Sequence, residues 1–518
     1  MKLDRLVIGS FKNLSGLSVH FDEEQLTTVV VGKNGTGKSN LIEALILIFR
    51  HLDLGEPPPF RYEIKYICRD HEVHIDADPA RPTRRVKVSV DGERLPYSRF
   101  SERGSEIYLP SHVFGYYSGT NDRLEAHFEK HQKRFYDALV NGEDDPLRPL
   151  FYARLVHSQF ALLAFFNEQD QSILEFLREH LRIEDLDHIL FIMREPDWNS
   201  REGDPRFWNA RGTVRKLLDA LYTTALAPLR TEQRVSLGFR DHATKEHLYL
   251  FLKDKDALKQ VSSIYQSQRE FFKALESMYI SELIGEVKTR VKVRNAGGSL
   301  TFRDLSEGEQ QLLMVLGLLR FTKEDESLFI LDEPDTHLNP AWAIQYLELL
   351  KKVVGEQDNS HIIMATHNPL VVASLERSQV LIMRRDEETG RVTISRPEQD
   401  PKGMGVAALL TSDVYGLRSQ LDPPTLRLLD QKRELAIQDN LTPSQREKLT
   451  QINKELEDLR FTDTDRDPLY QLFVEAMTNE EKEENLTETV LTEEQRTRRR
   501  ELANRIVRQL KTESHENH

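Results

Sequence analysis

Apolar and polar positions change rhythm several times along this chain, and each change marks a new element. Leu3–Ile8, Leu17–Phe21 and Thr27–Val31 are short apolar or alternating runs separated by the turn material of Asn13–Gly16, which predicts three strands. Asn40–Phe49 follows with helical spacing, and three consecutive prolines within Glu56–Phe60 stop it. Tyr62–Arg69, Glu72–Asp76 and Arg84–Val90 alternate and predict antiparallel strands, and His112–Tyr117 predicts a buried one. From Glu125 to about Arg234 the reading is mainly helical, on apolar residues at i, i+3, i+4 in Leu150–Phe166 and Ile173–Leu186. Ile189–Met193 is left open as a strand or a helix end. Val235–Phe239 and His247–Leu252 predict a hairpin, and Ala257–Ile284 one long helix.

The rhythm of the opening stretch then returns. Glu286–Arg294 and Ser299–Phe302 predict strands, Gln311–Arg320 an apolar helix, Leu328–Leu331 a buried strand, Ala343–Val354 a helix and His361–Ala365 a strand. Beyond Pro397, Thr425–Ile437 and Pro443–Leu459 predict a helical hairpin and Arg496–Lys511 a basic helix. The expected fold class is α/β: a P-loop core sheet, an antiparallel β subdomain, a helical insertion and a C-terminal helical appendage. The expected segments are 1–122, a mainly helical 123–285, 286–397 and 398–518.

Composition narrows the function classes. A chain of 518 residues exceeds one compact core. Its longest clean apolar run, Leu312–Leu319, is far short of a membrane span, and Met1–Leu6 runs straight into a strand, so a cytoplasmic protein without membrane contact is expected. The single cysteine, Cys68, leaves no internal disulfide and argues against a cysteine-built metal site. A net charge of −14 argues against a generally basic nucleic-acid binder and leaves a local basic surface open.

Two stretches carry chemistry. Gly32-Lys33-Asn34-Gly35-Thr36-Gly37-Lys38-Ser39 matches G-x-x-x-x-G-K-[ST] at every fixed position, between a strand and a helix that opens at Asn40. Its glycines let backbone N–H groups close around phosphate oxygens. Lys38 is expected to bridge the β- and γ-phosphates of ATP and Ser39 to ligate Mg2+. The second stretch is Ser327–Pro340, in which a buried strand stops at Asp332-Glu333. Carboxylates there suit a magnesium nucleotide, with Asp332 on the metal and Glu333 on the attacking water. Taken alone, a strand ending in an ordinary acidic turn reads equally well. Asn121, in the loop after His112–Tyr117, is a candidate γ-phosphate sensor, with a plain turn as the alternative.

The order of further motifs resembles ABC-type ATPases. Leu305-Ser306-Glu307-Gly308-Glu309-Gln310 is similar to their signature sequence, with Glu307 where glycine is more frequent. Asp335-Thr336-His337-Leu338-Asn339-Pro340 resembles the D-loop, and Thr366-His367-Asn368-Pro369 the switch-histidine loop. The resemblance implies a homodimer in which Ser306, Glu307, Gly308 and Glu309 of one head reach the ATP held by Lys38 of the other. It further implies that His367 contacts the γ-phosphate or the attacking water, and that Asp335 links the two sites. Lys12 and Asn13 look like the residues with which RecF- and SMC-like heads approach the nucleotide.

Within that family the insertion lacks the long heptads of SMC-type arms, and no carboxylate-bearing α/β domain follows Pro397 to resemble the nuclease of OLD-type enzymes. Leu409–Thr425, the helical hairpin and Arg466–Met477 resemble the C-terminal region of PtuA-type ATPases of Septu and retron anti-phage systems. That resemblance implies a partner, an HNH nuclease of the PtuB type, that supplies the cutting site, and in retrons a reverse transcriptase with its RNA–DNA product. The alternatives are a RecF/SMC-like DNA-repair ATPase and a nucleotide-sensing scaffold with little turnover. Nucleic-acid contact stays open on two stretches. Aromatic and basic residues interleave around Lys133–Tyr136, where a helix core with a solvated charged face is the favoured reading, and for Arg498–Lys511 the favoured reading is a solvated tail pairing with its acidic linker.

Overall fold

The computed structural model describes all residues except 120–121, 144–148, 169, 199–201, 237–241, 295–298, 323–325, 355–359, 439, 460–472, 474–475, 478–479, 481–491 and 517–518. Asn121, most of Arg466–Met477 and most of the acidic linker therefore lie outside the described residues. The chain forms two compact units, Met1–Arg396 and Pro397–His518.

The first unit holds three sheets. Its core sheet has seven strands in the order Val392–Ser395, Val380–Arg385, Thr27–Val31, His361–Ala365, Leu328–Asp332, Val113–Tyr117, Leu150–Tyr152. The first pair is antiparallel and every other pair parallel. Thr27–Val31, Leu328–Asp332 and His361–Ala365 are buried at all positions, because a parallel sheet is covered on both faces. A six-stranded antiparallel sheet begins with Leu14–His20 and Lys2–Phe11 and continues through Tyr62–Cys68, His71–Ala77, Val86–Val90 and Glu93–Leu95. Tyr62–Cys68 buries every second residue, as a sheet with one covered face requires.

Residues 123–285 are mainly helical, as read from sequence, through Glu129–Asn141, Val156–Phe165, Gln171–Glu179, Gly212–Thr224, Lys255–Ser262 and Gln268–Ile280, and they also contribute strands to a third sheet. Leu229–Ser236, His242–Leu252, Ile183–Arg194, Ile284–Val293 and Ser299–Thr301 pair in that order, all antiparallel. The helical spacing read as far as Leu186, where the chain is already a strand, has a physical cause. Pairing in Ile183–Arg194 shifts register at Ile183/Asp185 and Leu186/His188, and each bulge adds one residue. The buried residues Ile183, Leu186 and Ile189 therefore recur every third position and imitate a helix, and only Ile189, Phe191 and Met193 show the strand period. Leu150–Tyr152 is likewise an edge strand of the core sheet before the helix Val156–Phe165. The single helix expected over Ala257–Ile284 is two, Lys255–Ser262 and Gln268–Ile280, because the Ser267 hydroxyl accepts from the Glu270 N–H and starts a new helix.

In the second unit Pro423–Ala436 and Pro443–Asp458 form the helical hairpin around Leu429, Leu435, Ile452 and Leu456. Thr442 and Gln445 close a capping box at the second helix. The basic helix runs over Glu493–Glu516 and packs Leu502 and Ile506 on Met477. No helix among the described residues is long and apolar enough to cross a membrane.

Candidate functional site

Four neighbouring parallel strands of the core sheet end side by side. Their carboxyl ends carry the P-loop after Val31, Thr366-His367 after Ala365, Asp332-Glu333, and Ser118 after Tyr117. The ends of parallel strands are where loops can converge on a ligand, and residues 31, 117, 332 and 365 meet there. The backbone stitches the loops together: Ser118 N–H donates to Asp332 O at 3.2 Å, Glu333 N–H to Ala365 O at 2.8 Å, and Thr366 N–H to Val30 O at 3.1 Å.

The P-loop turns from strand to helix through Gly37, whose φ of 106° any side chain would resist. Gly37 caps the helix Lys38–Leu54 without a side-chain hydrogen bond, so the first helical N–H groups stay available to an anion. Lys33, Asn34 and Gly35 form the exposed tip. Thr36 turns inward and donates to Lys33 O at 2.9 Å. The Lys38 ammonium folds back on the loop, 2.8 Å from Gly32 O and 3.4 Å from Lys33 O. Burial lowers its pKa, and the carboxylates of Glu333 and Asp332 oppose that shift.

Asp332 is 1% exposed, and neither carboxylate oxygen has a hydrogen-bond partner among the described residues. Burial pushes its carboxyl up to about 6, with the nearby Ser39 hydroxyl working against the rise. Two bare carboxylate oxygens beside a hydroxyl make a hard oxygen donor set that fits Mg2+, an ion that shares its remaining positions with water and phosphate. Glu333 adopts a left-handed backbone, φ 54°, a conformation bulky residues avoid and one often kept at functional sites. Its Oε1 lies 3.1 Å from Nδ1 of His367, whose ring is more than half exposed. Asp335 is buried, accepts from the Thr366 hydroxyl at 2.8 Å, and has its carboxyl pushed up by burial.

The signature segment starts the helix Glu307–Thr322. Ser306 and Glu309 form a capping box: the Glu309 carboxylate accepts from the Ser306 N–H at 2.7 Å, and the Ser306 hydroxyl accepts from the Glu309 N–H at 3.3 Å. A Cβ on Gly308 would lie 2.4 Å from the His337 carbonyl oxygen, so glycine is required there for contact with the chain's own D-loop. Glu307 reaches His337 Nδ1 at 3.2 Å. Gln311 donates to the Tyr116 hydroxyl at 3.0 Å and accepts from the His337 N–H at 3.2 Å.

Lys12 and Asn13 do sit beside the P-loop. Asn13 donates to Gly35 O at 3.3 Å and accepts from Asn40. Lys12 instead donates to Glu43 at 2.6 Å. Glu43 was not singled out from sequence and is a hub. It is 4% exposed and also accepts from Arg123 Nε at 2.7 Å and pairs with His127 at 3.1 Å. Burial works to raise its carboxyl, but hydrogen bonds from His127, Lys12 and Arg123 outweigh it and hold it down to about 2. Arg123 donates to Asn40 as well and counts among the cations that oppose the rise at Asp332. The available signal was a lone carboxylate inside the apolar helix run Leu41–Phe49.

Comparison with known proteins points the same way. The family model described as "AAA domain, putative AbiEii toxin, Type IV TA system" matches residues 95–373, and one described as "AAA ATPase domain" matches residues 1–89. The chain is similar to Septu protein PtuA of Bacillus mycoides (strain KBAB4), 30% identical over 187 residues, which are 34% of this chain and 25% of that relative. It thus spans about a quarter of that relative's length. It is similar to the Retron Vc95 probable ATPase of Vibrio cholerae serotype O1 biovar El Tor, 20% identical over 436 residues, 79% of this chain and 78% of the relative. Among solved structures, the SMC head domain from Thermotoga maritima aligns at 15% identity over 77% of this chain and 100% of that one, with a TM-score of 0.32. With a P-loop, an acidic strand end and just over half of its length under the first of these descriptions, the chain belongs to the AAA domain family of ATPases.

Proposed function

We propose that this ATPase binds ATP with Mg2+ and hydrolyses it to ADP and phosphate, as one subunit of an anti-phage defence complex that regulates a partner HNH nuclease. The observation that carries the reading is Asp332, a buried carboxylate with both oxygens bare, next to Ser39 and beside the folded-back ammonium of Lys38. In this reading Lys38 leaves the carbonyls of Gly32 and Lys33 for the β- and γ-phosphates. Ser39 and Asp332 hold the ion, which when bound neutralises phosphate charge and polarises the γ-phosphoryl group. Glu333 orients the attacking water and takes its proton, and His367 holds Glu333 or the γ-phosphate.

Two heads complete the site, with Ser306 and Gly308 of one facing the nucleotide of the other and Asp335 tying its own D-loop to the switch-histidine loop. The defence setting draws on the likeness to Septu protein PtuA and the Retron Vc95 probable ATPase. A PtuB-type nuclease, and in a retron a reverse transcriptase with its RNA–DNA product, are the partners that setting implies.

Glu333→Gln tests the chemistry, because it removes only the group that activates water. The variant should bind ATP and dimerise as the wild type does while turnover is lost. Unchanged hydrolysis would overturn the assignment. Co-purification with the product of an adjacent HNH reading frame tests the partner, and a chain that purifies without it removes the defence reading while leaving the ATPase intact.

A further inference from the structure

We infer that a groove on the antiparallel sheet binds a single-stranded nucleic acid, at a site separate from the nucleotide. The groove encloses about 630 Å3 between the end of the P-loop helix, the segment 82–87 that leads into the strand Val86–Val90, and the start of the helix Tyr97–Ile107. The P-loop helix, Lys38–Leu54, has 17 residues, so its rise of about 1.5 Å per residue puts roughly 25 Å between the phosphate loop and this groove.

Charge is the first argument. The chain carries −14 overall, yet Arg84, Arg85, Lys87 and Arg94 line this one groove. The carboxylate among the lining residues, Glu56, does not offset them, since Lys130 at 2.5 Å and Arg50 at 3.6 Å already pair with it. Lys87 reaches Asp76 only at 3.9 Å, and among the described residues Arg84 and Arg94 form no ion pair. Like charges gathered with one ion pair among them, Lys87 with Asp76, repel one another and set up a potential that draws in a polyanion. Three of the four are arginines, whose forked donors match phosphate oxygens.

The remaining walls decide what kind of anion fits. Pro57, Pro58, Pro82 and Pro96 present rigid apolar faces, and Tyr97 adds an aromatic one. The Tyr97 hydroxyl is buried and has no hydrogen-bond partner among the described residues. A bare phosphate has no use for apolar faces, whereas the bases of an unpaired strand stack on them. Phosphates on the arginines with bases against proline and tyrosine use every wall.

The test is fluorescence anisotropy of the full-length chain with a labelled oligothymidylate of about 15 nucleotides, a length within the usual site sizes, titrated between about 50 and 200 mM salt. The wild type should bind, with affinity falling as salt rises. Arg84→Gln with Arg94→Gln should weaken binding at low salt by tenfold or more and lower the salt slope by about 1.4, the value for two phosphate contacts on a single strand. Melting temperature and ATP turnover should not move, since both arginines are exposed and lie outside the nucleotide site. Equal binding by variant and wild type would overturn the inference, as would wild-type binding of poly-glutamate or inorganic polyphosphate at the affinity of the oligonucleotide. A wild type that turns over ATP and binds no oligonucleotide would also overturn it, and the ATPase reading would stand.

Discussion

Nδ1 of His367 lies 3.1 Å from Oε1 of Glu333, although the two residues leave adjacent parallel strands 34 positions apart. The contact holds a partly buried carboxylate in one orientation at the strand ends, where the P-loop also opens. A water-activating group needs such an orienting partner, because a free carboxylate samples rotamers that do not face the phosphate.

His367→Ala should therefore lower turnover by about tenfold or more, in the range seen when an orienting partner is removed, and leave nucleotide affinity nearly unchanged. Single-turnover hydrolysis and titration with a fluorescent ATP analogue separate the two quantities. Equal losses in both would assign His367 to ground-state binding.

Asp332→Asn should stabilise the nucleotide-free fold while abolishing its response to the magnesium nucleotide. The buried carboxylate lacks a hydrogen bond, and replacing it by a neutral amide removes an unpaired charge. Thermal melting of both proteins, with and without Mg2+ and ATP, should show a higher midpoint for the variant alone and a nucleotide-induced rise for the wild type only.

Glu43→Leu should destabilise the first unit by about 2 kcal/mol, below the value for a fully buried pair because Lys12 and Arg123 keep some exposure. It should also loosen the P-loop, since Arg123 and Asn40 lose a shared anchor. A double-mutant cycle with Arg123→Ala should give a coupling energy well above zero in chemical denaturation. A cycle that closes additively would mean that the two side chains do not support each other.

Stability should fall in acid partly through His361. The ring is fully buried, accepts from the Leu3 N–H at 3.0 Å and lies 3.0 Å from the Thr28 hydroxyl, and burial pushes its pKa down to about 3. The unfolded chain, with an ordinary histidine near 6.5, binds more protons between those two values. The contribution is therefore complete above about pH 6.5 and is lost as pH falls toward 3, with a slope of at most about 1.4 kcal/mol per pH unit. His361→Gln should flatten that limb of the stability curve. It should not abolish it, because His51 is also held low, to about 4, by burial.

Much of the site was legible because its residues are bound to their chemistry by local constraints. Gly37 needs a left-handed turn and Lys38 must follow it, so the P-loop is written in consecutive letters. Asp332-Glu333 after four apolar residues says that a buried strand ends in charge. Glu43, Arg123 and Gln311 were not legible. Each works through a partner between 26 and 195 positions away, and its own neighbourhood, which at Glu43 shows no more than a lone carboxylate in an apolar run, does not name that partner. The first part of the strand Ile183–Arg194 was misread as helix for a related reason. Bulges at Asp185 and His188 set the apolar spacing of Ile183, Leu186 and Ile189, and bulges belong to the pairing of strands, not to one strand alone.

The sequence by itself determined the P-loop, the acidic strand end, the order of the motifs and the α/β class, because these rest on backbone conformation and periodicity within a few residues. Tertiary structure decided which strand ends stand side by side and which carboxylates stay bare, as at Asp332, or gather cations, as at Glu43. It also brought Arg84, Arg85 and Arg94 to one groove beside Pro57 and Pro58. Those outcomes depend on hydrogen-bond register and burial between segments far apart in sequence, from 31 positions for Lys12 and Glu43 to the pairing of Val30 with Ala365, which no local pattern of apolar and polar positions specifies.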